Sequence, residues 1–164
     1  MIYAGTFSKT LFPALRAAYL VLPEALVRPF LAAKWVGDRF SATLAQEALA
    51  DFIASGQFER YLRRAGARNA RRRHALIESL RQHLGDRVEI AGENTGVHLV
   101  VWLNGVRLRE VDALVERAAR VGVGLYSISP YYARPPRRAG LLFGYAALTE
   151  ADIAAGIRRF AALL

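Results

Sequence analysis

The sequence predicts an α/β fold in three parts: the end of a larger α/β domain over 1–56, a connecting helix over 57–84, and a small α+β domain over 85–164. Three observations carry this. Two short β-prone runs open the chain, and two strands cannot build a stable core alone. A long arginine-rich stretch of helical pattern follows, bounded by Gly56 and Gly85. After Gly85 the pattern reads β-β-α-β-β-α, which suits helices over one face of a small sheet.

The elements follow in order. Ile2 to Phe7 is apolar and β-prone, a short strand. Ser8 to Leu15 reads as a loop broken at Pro13, and Arg16 to Leu22 as a second strand closed by Pro23. Pro23-Glu24 suits a helix start, with the helix running to about Val36. Ser41 is placed to cap the next helix, which carries Leu44, Ala48, Leu49, Phe52 and Ile53 at helical spacing. The long helix spans Gln57 to Leu84, with Gly66 as a weak point. Val88–Ala91, Val97–Leu103, Val123–Ile128 and Leu141–Ala146 read as strands, and Arg109–Val121 as an amphipathic helix. Thr149-Glu150-Ala151-Asp152 is a capping-box start for a last helix to Leu164. Met1 is followed at once by what reads as a core strand, as in a fragment of a longer protein.

Composition narrows the function classes. The 164 residues contain no cysteine, which excludes disulfides and thiolate metal sites. No signal peptide and no apolar run of spanning length is seen, so a cytoplasmic location without a membrane partner is the default. The net charge of +9 is almost wholly arginine. Its densest group, Arg60, Arg63, Arg64, Arg68, Arg71, Arg72 and Arg73, reads as a solvated helix face, with a polyanion surface as the alternative. His74, His83 and His98 lack ligand spacing, so no metal site is expected, and His98 reads as structural. Trp35, Trp102, Tyr131 and Tyr132 read as core or pocket-wall residues.

Lysine is the rarity: Lys9 and Lys34 are the only two. A primary amine can condense with an aldehyde once deprotonated, and a guanidinium cannot. Around Lys9 stand two hydroxyls, Thr6 and Ser8, and seven residues on stands Arg16. Hydroxyls and a guanidinium are suitable donors to a phosphate dianion. The apolar loop from Leu11 to Leu15 favours a desolvated, less basic amine. Pyridoxal 5'-phosphate (PLP) carries both an aldehyde and a phosphate.

The stretch Gly5-Thr6-Phe7-Ser8-Lys9-Thr10-Leu11-Phe12-Pro13-Ala14-Leu15-Arg16, continuing to Pro23, resembles the lysine segment of fold-type I PLP-dependent aminotransferases. It is most similar to the aminotransferase-like domain of MocR-type regulators of the GntR group. Thr95–Leu103, Ala118–Val123, Tyr131-Tyr132 and Gly140–Ala146 extend the resemblance over essentially the whole chain. It implies the C-terminal part of the PLP-binding large domain, the interdomain helix and the small domain. It implies that Lys9 is the catalytic lysine carrying PLP as an aldimine, that Thr6 and Arg16 bind the phosphate, and that Ser8 assists. It also implies a homodimer for the intact protein.

The departures are specific. Ala18 stands where the family usually has glycine, and Tyr61-Leu62-Arg63-Arg64-Ala65-Gly66 where its helix typically reads His-Leu-Arg-Arg-Met-Arg. The arginine that holds the substrate carboxylate in many aminotransferases aligns with Leu142. Arg137 and Arg138 are nearby without an assigned role. The family's aspartate at the pyridine nitrogen, the tyrosine and asparagine at the ring oxygen, the glycine-rich phosphate turn and the regulators' winged-helix DNA-binding domain all lie upstream of the lysine strand. The function expected is therefore a PLP-binding, effector-sensing domain of a regulator, responding to an amino acid or amine, with DNA met only through an upstream domain. The alternatives are an aminotransferase acting on an amino acid, and a truncated product without activity.

Overall fold

In a computed structural model describing residues 1–39, 41–94 and 96–164, the chain divides into two units, Met1–Arg64 and Ala65–Leu164. Thr95, which opens one of the family-like segments, lies outside the described residues. The division falls inside a single helix.

The first unit begins with an antiparallel ribbon, β1 (Tyr3–Thr6) and β2 (Ala18–Val21), paired Tyr3 to Val21 through Thr6 to Ala18. Both strands are shorter than the apolar runs that predict them. Gly5 lies opposite Tyr19, and a Cβ on Gly5 would sit 2.3 Å from the Tyr19 ring. Glycine here lets that ring lie across the ribbon. Two helices follow, α1 (Glu24–Asp38) and α2 (Thr43–Ala54). Ser41 does not cap α2: Ala42 holds the cap position without a side-chain bond, and the Thr43 amide donates to the Ser41 backbone carbonyl. A backbone turn has taken the place of the expected hydroxyl cap.

No described residue of Met1–Arg64 is buried. What joins its elements is aromatic. Phe7 meets Tyr19 at 5.6 Å and Phe58 edge-on at 5.9 Å, and Phe58 meets Phe52 at 6.3 Å. Ring pairs at such separations each add about 0.5–1.5 kcal/mol beyond area burial. Trp35 is 64% exposed, so it is not the core residue expected from its type.

Helix α3 (Gln57–Leu84) has the bounds that the sequence predicts and passes through Gly66 unbroken. Gly56 and Gly85 flank it with φ of 69° and 50°, a conformation that other residues adopt only with strain.

The second unit contains every buried hydrophobic side chain, from Leu76 to Phe160. Its sheet is antiparallel in the order β3 (Val88–Ala91), β4 (His98–Leu103), β6 (Gly140–Gly144), β5 (Tyr126–Ser127). Leu99 pairs with Phe143 and Val101 with Leu141, so these four side chains share one face. All four are buried in one cluster with Leu76, Leu80 and Leu84 of α3. Leu114 and Ala118 of α4 (Val111–Arg120) and Ile153, Ile157 and Phe160 of α5 (Glu150–Ala161) complete it. This is the expected β-β-α-β-β-α order with the helices on one face. The third expected strand shrinks to Tyr126–Ser127, because Val123 and Leu125 are buried in the core without entering the ladder. The Thr149 capping box forms as read: its hydroxyl accepts from the Asp152 amide, and the Thr149 hydroxyl and backbone amide donate to the Asp152 carboxylate, which holds that carboxyl below its ordinary range.

Two further expectations are corrected here. Tyr131 and Tyr132 are exposed, since they sit on and just after a short 3-10 turn (Ser129–Tyr131) outside the sheet. The arginine group of α3 is not uniformly solvated. Arg72 is half-buried and donates to the Ala146 carbonyl, and Arg71 pairs with Glu150.

Before α4, the Arg107 guanidinium and backbone amide both bond to Glu110 and hold its carboxyl down to about 2, against an ordinary 4.5. A carboxyl lowered on folding stabilises the fold above its unfolded value, and that contribution is lost as pH falls towards the folded one. NMR titration should therefore place Glu110 near 2, and Arg107→Ala should raise it towards the ordinary carboxylate range, with the backbone amide at 107 retaining part of the lowering. Phe160 is fully buried against Phe143 with ring centroids at 5.6 Å. Phe160→Ala should cost about 3–5 kcal/mol in urea unfolding of the second unit, and a loss of under about 1 kcal/mol would show that its site collapses without a cavity.

Candidate cofactor site

The candidate site is the connection between β1 and β2. The ribbon's last rung pairs Thr6 with Ala18, and the Phe7 amide then donates to the Ala17 carbonyl at 3.0 Å. Residues 8–16 are thereby closed into one loop at one end of the ribbon. Thr6, Ser8, Lys9 and Arg16 are brought to that end together.

Lys9 sits at the centre of a turn. The Leu11 amide donates to the Phe7 carbonyl at 2.8 Å, enclosing residues 8–10 in a single helical-type turn. The Thr6 hydroxyl accepts from the Ser8 amide at 3.2 Å and donates to the Ala17 carbonyl at 3.4 Å. Thr10 bonds back to the Thr6 carbonyl at 3.5 Å. The loop then runs through an extended Phe12 into a 3-10 turn, Pro13–Leu15, whose end is Arg16. Arg16 has φ 49° and ψ 29°, the left-handed region, and its amide bonds to the Pro13 carbonyl. For a residue with a Cβ this conformation costs about 1–2 kcal/mol. Sequence reasoning names Arg16 but gives no sign of its backbone strain.

Lys9 and Arg16 are exposed, so the apolar loop does not desolvate the amine as expected, and neither residue makes an ion pair among the described residues. The donor set fits a phosphorylated aldehyde: one amine, hydroxyls on either side of Phe7, and one guanidinium, all within a closed loop. The Thr6 donation to Ala17 is long, so the hydroxyl can turn to a phosphate oxygen at small cost. Lys34, in contrast, is held in an i,i+4 pair with Asp38 at 2.6 Å.

Elsewhere, a cavity of about 630 Å³ in the second unit is lined mostly by apolar side chains, with His98, Asp152 and Arg159 at its wall. Lys9 is not part of it. Arg138 lies 5.3 Å from the Trp102 ring centre and pairs with Glu89 at 2.6 Å, so its guanidinium is already engaged. Among the described residues no group of His, Asp and Glu could hold a metal ion, and no helix is long and apolar enough to cross a membrane.

No protein-family model matches the chain. It is 35% identical over 159 residues to YhdI, an HTH-type transcriptional regulator of Bacillus subtilis, covering 97% of this chain and 34% of the relative. It is 34% identical over 157 residues to the probable rhizopine catabolism regulatory protein MocR of Rhizobium meliloti, covering 96% and 31%. Its fold matches the kynurenine aminotransferase of Pyrococcus horikoshii, solved with PMP, at a TM-score of 0.88 and 25% identity, over 99% of this chain and 40% of the other. The chain thus spans about a third of the length of the curated relatives it matches.

Replacing Arg16 by glycine should relieve the left-handed strain while removing the guanidinium. Arg16→Gly is expected to unfold no earlier than wild type in a thermal melt, and to bind pyridoxal phosphate or inorganic phosphate more weakly by isothermal titration. Phosphate binding that survives unchanged would remove Arg16 from the site.

Proposed function

We propose, from the premise that this chain is a homologue of MocR-type transcription regulators with the fold of fold-type I aminotransferases, that it is the PLP-binding, effector-sensing part of such a regulator. The observation that carries the reading is the closed loop with Lys9 at the centre of its turn, Thr6 and Ser8 before it and Arg16 at its end.

The residues divide the work. Lys9 offers the amine. Thr6 and Ser8 offer hydroxyl donors, and Arg16 offers a fixed charge for a phosphate. PLP, when bound, supplies an aldehyde and an electron sink for an attached amine. Anchoring the phosphate would hold the aldehyde beside Lys9, which raises the effective concentration of one at the other. An amino acid or amine effector would compete with the Lys9 amine for the site, and a free Lys9 amine would be placed to move a proton.

In this reading residues 1–56 belong to the cofactor-binding domain, 57–84 form the interdomain helix, and 85–164 form the small domain. The intact protein works in the cytoplasm as a homodimer and meets DNA through a further domain. The likeness to the kynurenine aminotransferase favours a second reading, an enzyme that transfers an amino group from an amino acid. Amino-group transfer to a 2-oxo acid by the PLP-loaded intact protein would favour the enzyme, and its absence there the sensor.

The cofactor assignment is tested on the chain itself. After incubation with PLP and reduction with borohydride, peptide mass spectrometry should find the pyridoxyl label on Lys9 in preference to Lys34. Equal labelling, or a preference for Lys34, would overturn it. Lys9→Ala should lose the preferred label while Lys34 labelling stays as it was.

A further inference from the structure

We propose that Tyr61 is a positioning residue for Lys9, acting through a hydrogen bond from its hydroxyl to the Leu11 carbonyl. The proposal rests on the cofactor reading of Lys9 above.

Tyr61 lies on α3, fifty residues beyond Leu11, and its Oη stands 3.4 Å from the Leu11 oxygen. Leu11 is the residue that closes the Lys9 turn, since its amide donates to the Phe7 carbonyl. One peptide plane away, its carbonyl accepts from Tyr61. The two bonds hold Leu11 from both sides. Phe58, three residues before Tyr61, packs edge-on against Phe7 at 5.9 Å. Residues three apart lie on one face of a helix. That face of α3 therefore grips the turn at both ends, Phe58 at residue 7 and Tyr61 at residue 11, with Lys9 midway.

The contact at Phe7 is a ring contact without direction. The contact at Leu11 is a hydrogen bond, long at 3.4 Å, and it gives the exit of the turn a directional preference that the ring contact does not. Residues 8–10 themselves carry no hydrogen bond to a helix among the described residues; their bonds run to Thr6. Removing the Tyr61 hydroxyl leaves the ribbon and its aromatic contacts in place and loosens the exit of the turn. The amine of Lys9 would then sample more positions relative to Thr6, Ser8 and Arg16, and its advantage over an ordinary lysine would fall. Tyr61 touches neither substrate nor cofactor in this account.

The chain provides its own reference. Lys34 is on α1, paired with Asp38, and is the only other lysine. Wild type and Tyr61→Phe are treated with PLP and borohydride over a range of pH, and the ratio of label at Lys9 to label at Lys34 is read by mass spectrometry. Amide exchange at Leu11 and far-ultraviolet circular dichroism are measured on the same samples. The ratio should fall by about threefold in Tyr61→Phe, a modest share of one net hydrogen bond. Leu11 exchange should quicken, and Lys34 labelling and helix content should not change. A Lys9 preference that is strong in wild type and undiminished in Tyr61→Phe overturns this proposal alone. No preference for Lys9 in wild type overturns the cofactor reading and this proposal with it.

Discussion

The hydrogen bond from the Phe7 amide to the Ala17 carbonyl decides where the functional loop begins and ends. It extends the β1–β2 pairing one step past Thr6 and Ala18. The four residues of the proposed cofactor site are all placed by that closure. Thr6 stands just inside it, Ser8 and Lys9 just beyond, and Arg16 on the returning limb. An open connection of this length would cost entropy to bring Lys9 and Arg16 together. The ribbon meets that cost once, through a regular ladder, and the turn at Phe7–Leu11 then needs only local bonds.

The two units hold themselves together by different means. Ala65–Leu164 has an apolar core with three helices over one sheet face, and its alternation along β4 and β6 follows from period-two geometry. Gly140 belongs to the other face, where a Cβ would stand 2.6 Å from Ile128 and 3.0 Å from Trp102. In Met1–Arg64 no described side chain is buried, and the aromatic string Tyr19–Phe7–Phe58–Phe52 links ribbon, α2 and α3. The Lys9 loop is attached to that string at Phe7. A loop held by a few directional contacts depends on each of them more than one set into a core, which is the ground for the role proposed for the Tyr61 hydroxyl.

Much of this is legible in the sequence where the signal is local. Gly56 and Gly85 bound α3, and the Thr149–Asp152 pattern starts α5, because helix ends are set by nearby residues. The strands of the second unit are found by their apolar runs, but a run does not say which of its residues enter a ladder, so Val123 and Leu125 read as strand while only packing. Ser41 has the right type for a cap, yet its backbone carbonyl does the bonding. At the site, the residue types Thr6, Ser8, Lys9 and Arg16 are visible within one short window. The left-handed backbone of Arg16 and the Tyr61 bond to Leu11 are not, since one is a conformation and the other joins residues far apart in the chain.

The contrast between the two lysines bears on the chemistry proposed for Lys9. In a chain whose other cationic side chains are all arginine, each lysine asks for a reason. Lys34 is on an exposed helix, in an i,i+4 pair with Asp38. Pairs of that kind add little to stability, and arginine forms them equally well. Nothing at Lys34 needs a primary amine. Lys9 has no such pair among the described residues, is exposed, and is set at the middle of a bonded turn, with hydroxyls before it and a guanidinium at the end of its loop. Arginine there would keep the charge and lose the one reaction that distinguishes the two side chains, condensation with an aldehyde. Lys34 is thus replaceable by arginine where it stands, whereas in the proposed cofactor reading Lys9 is not.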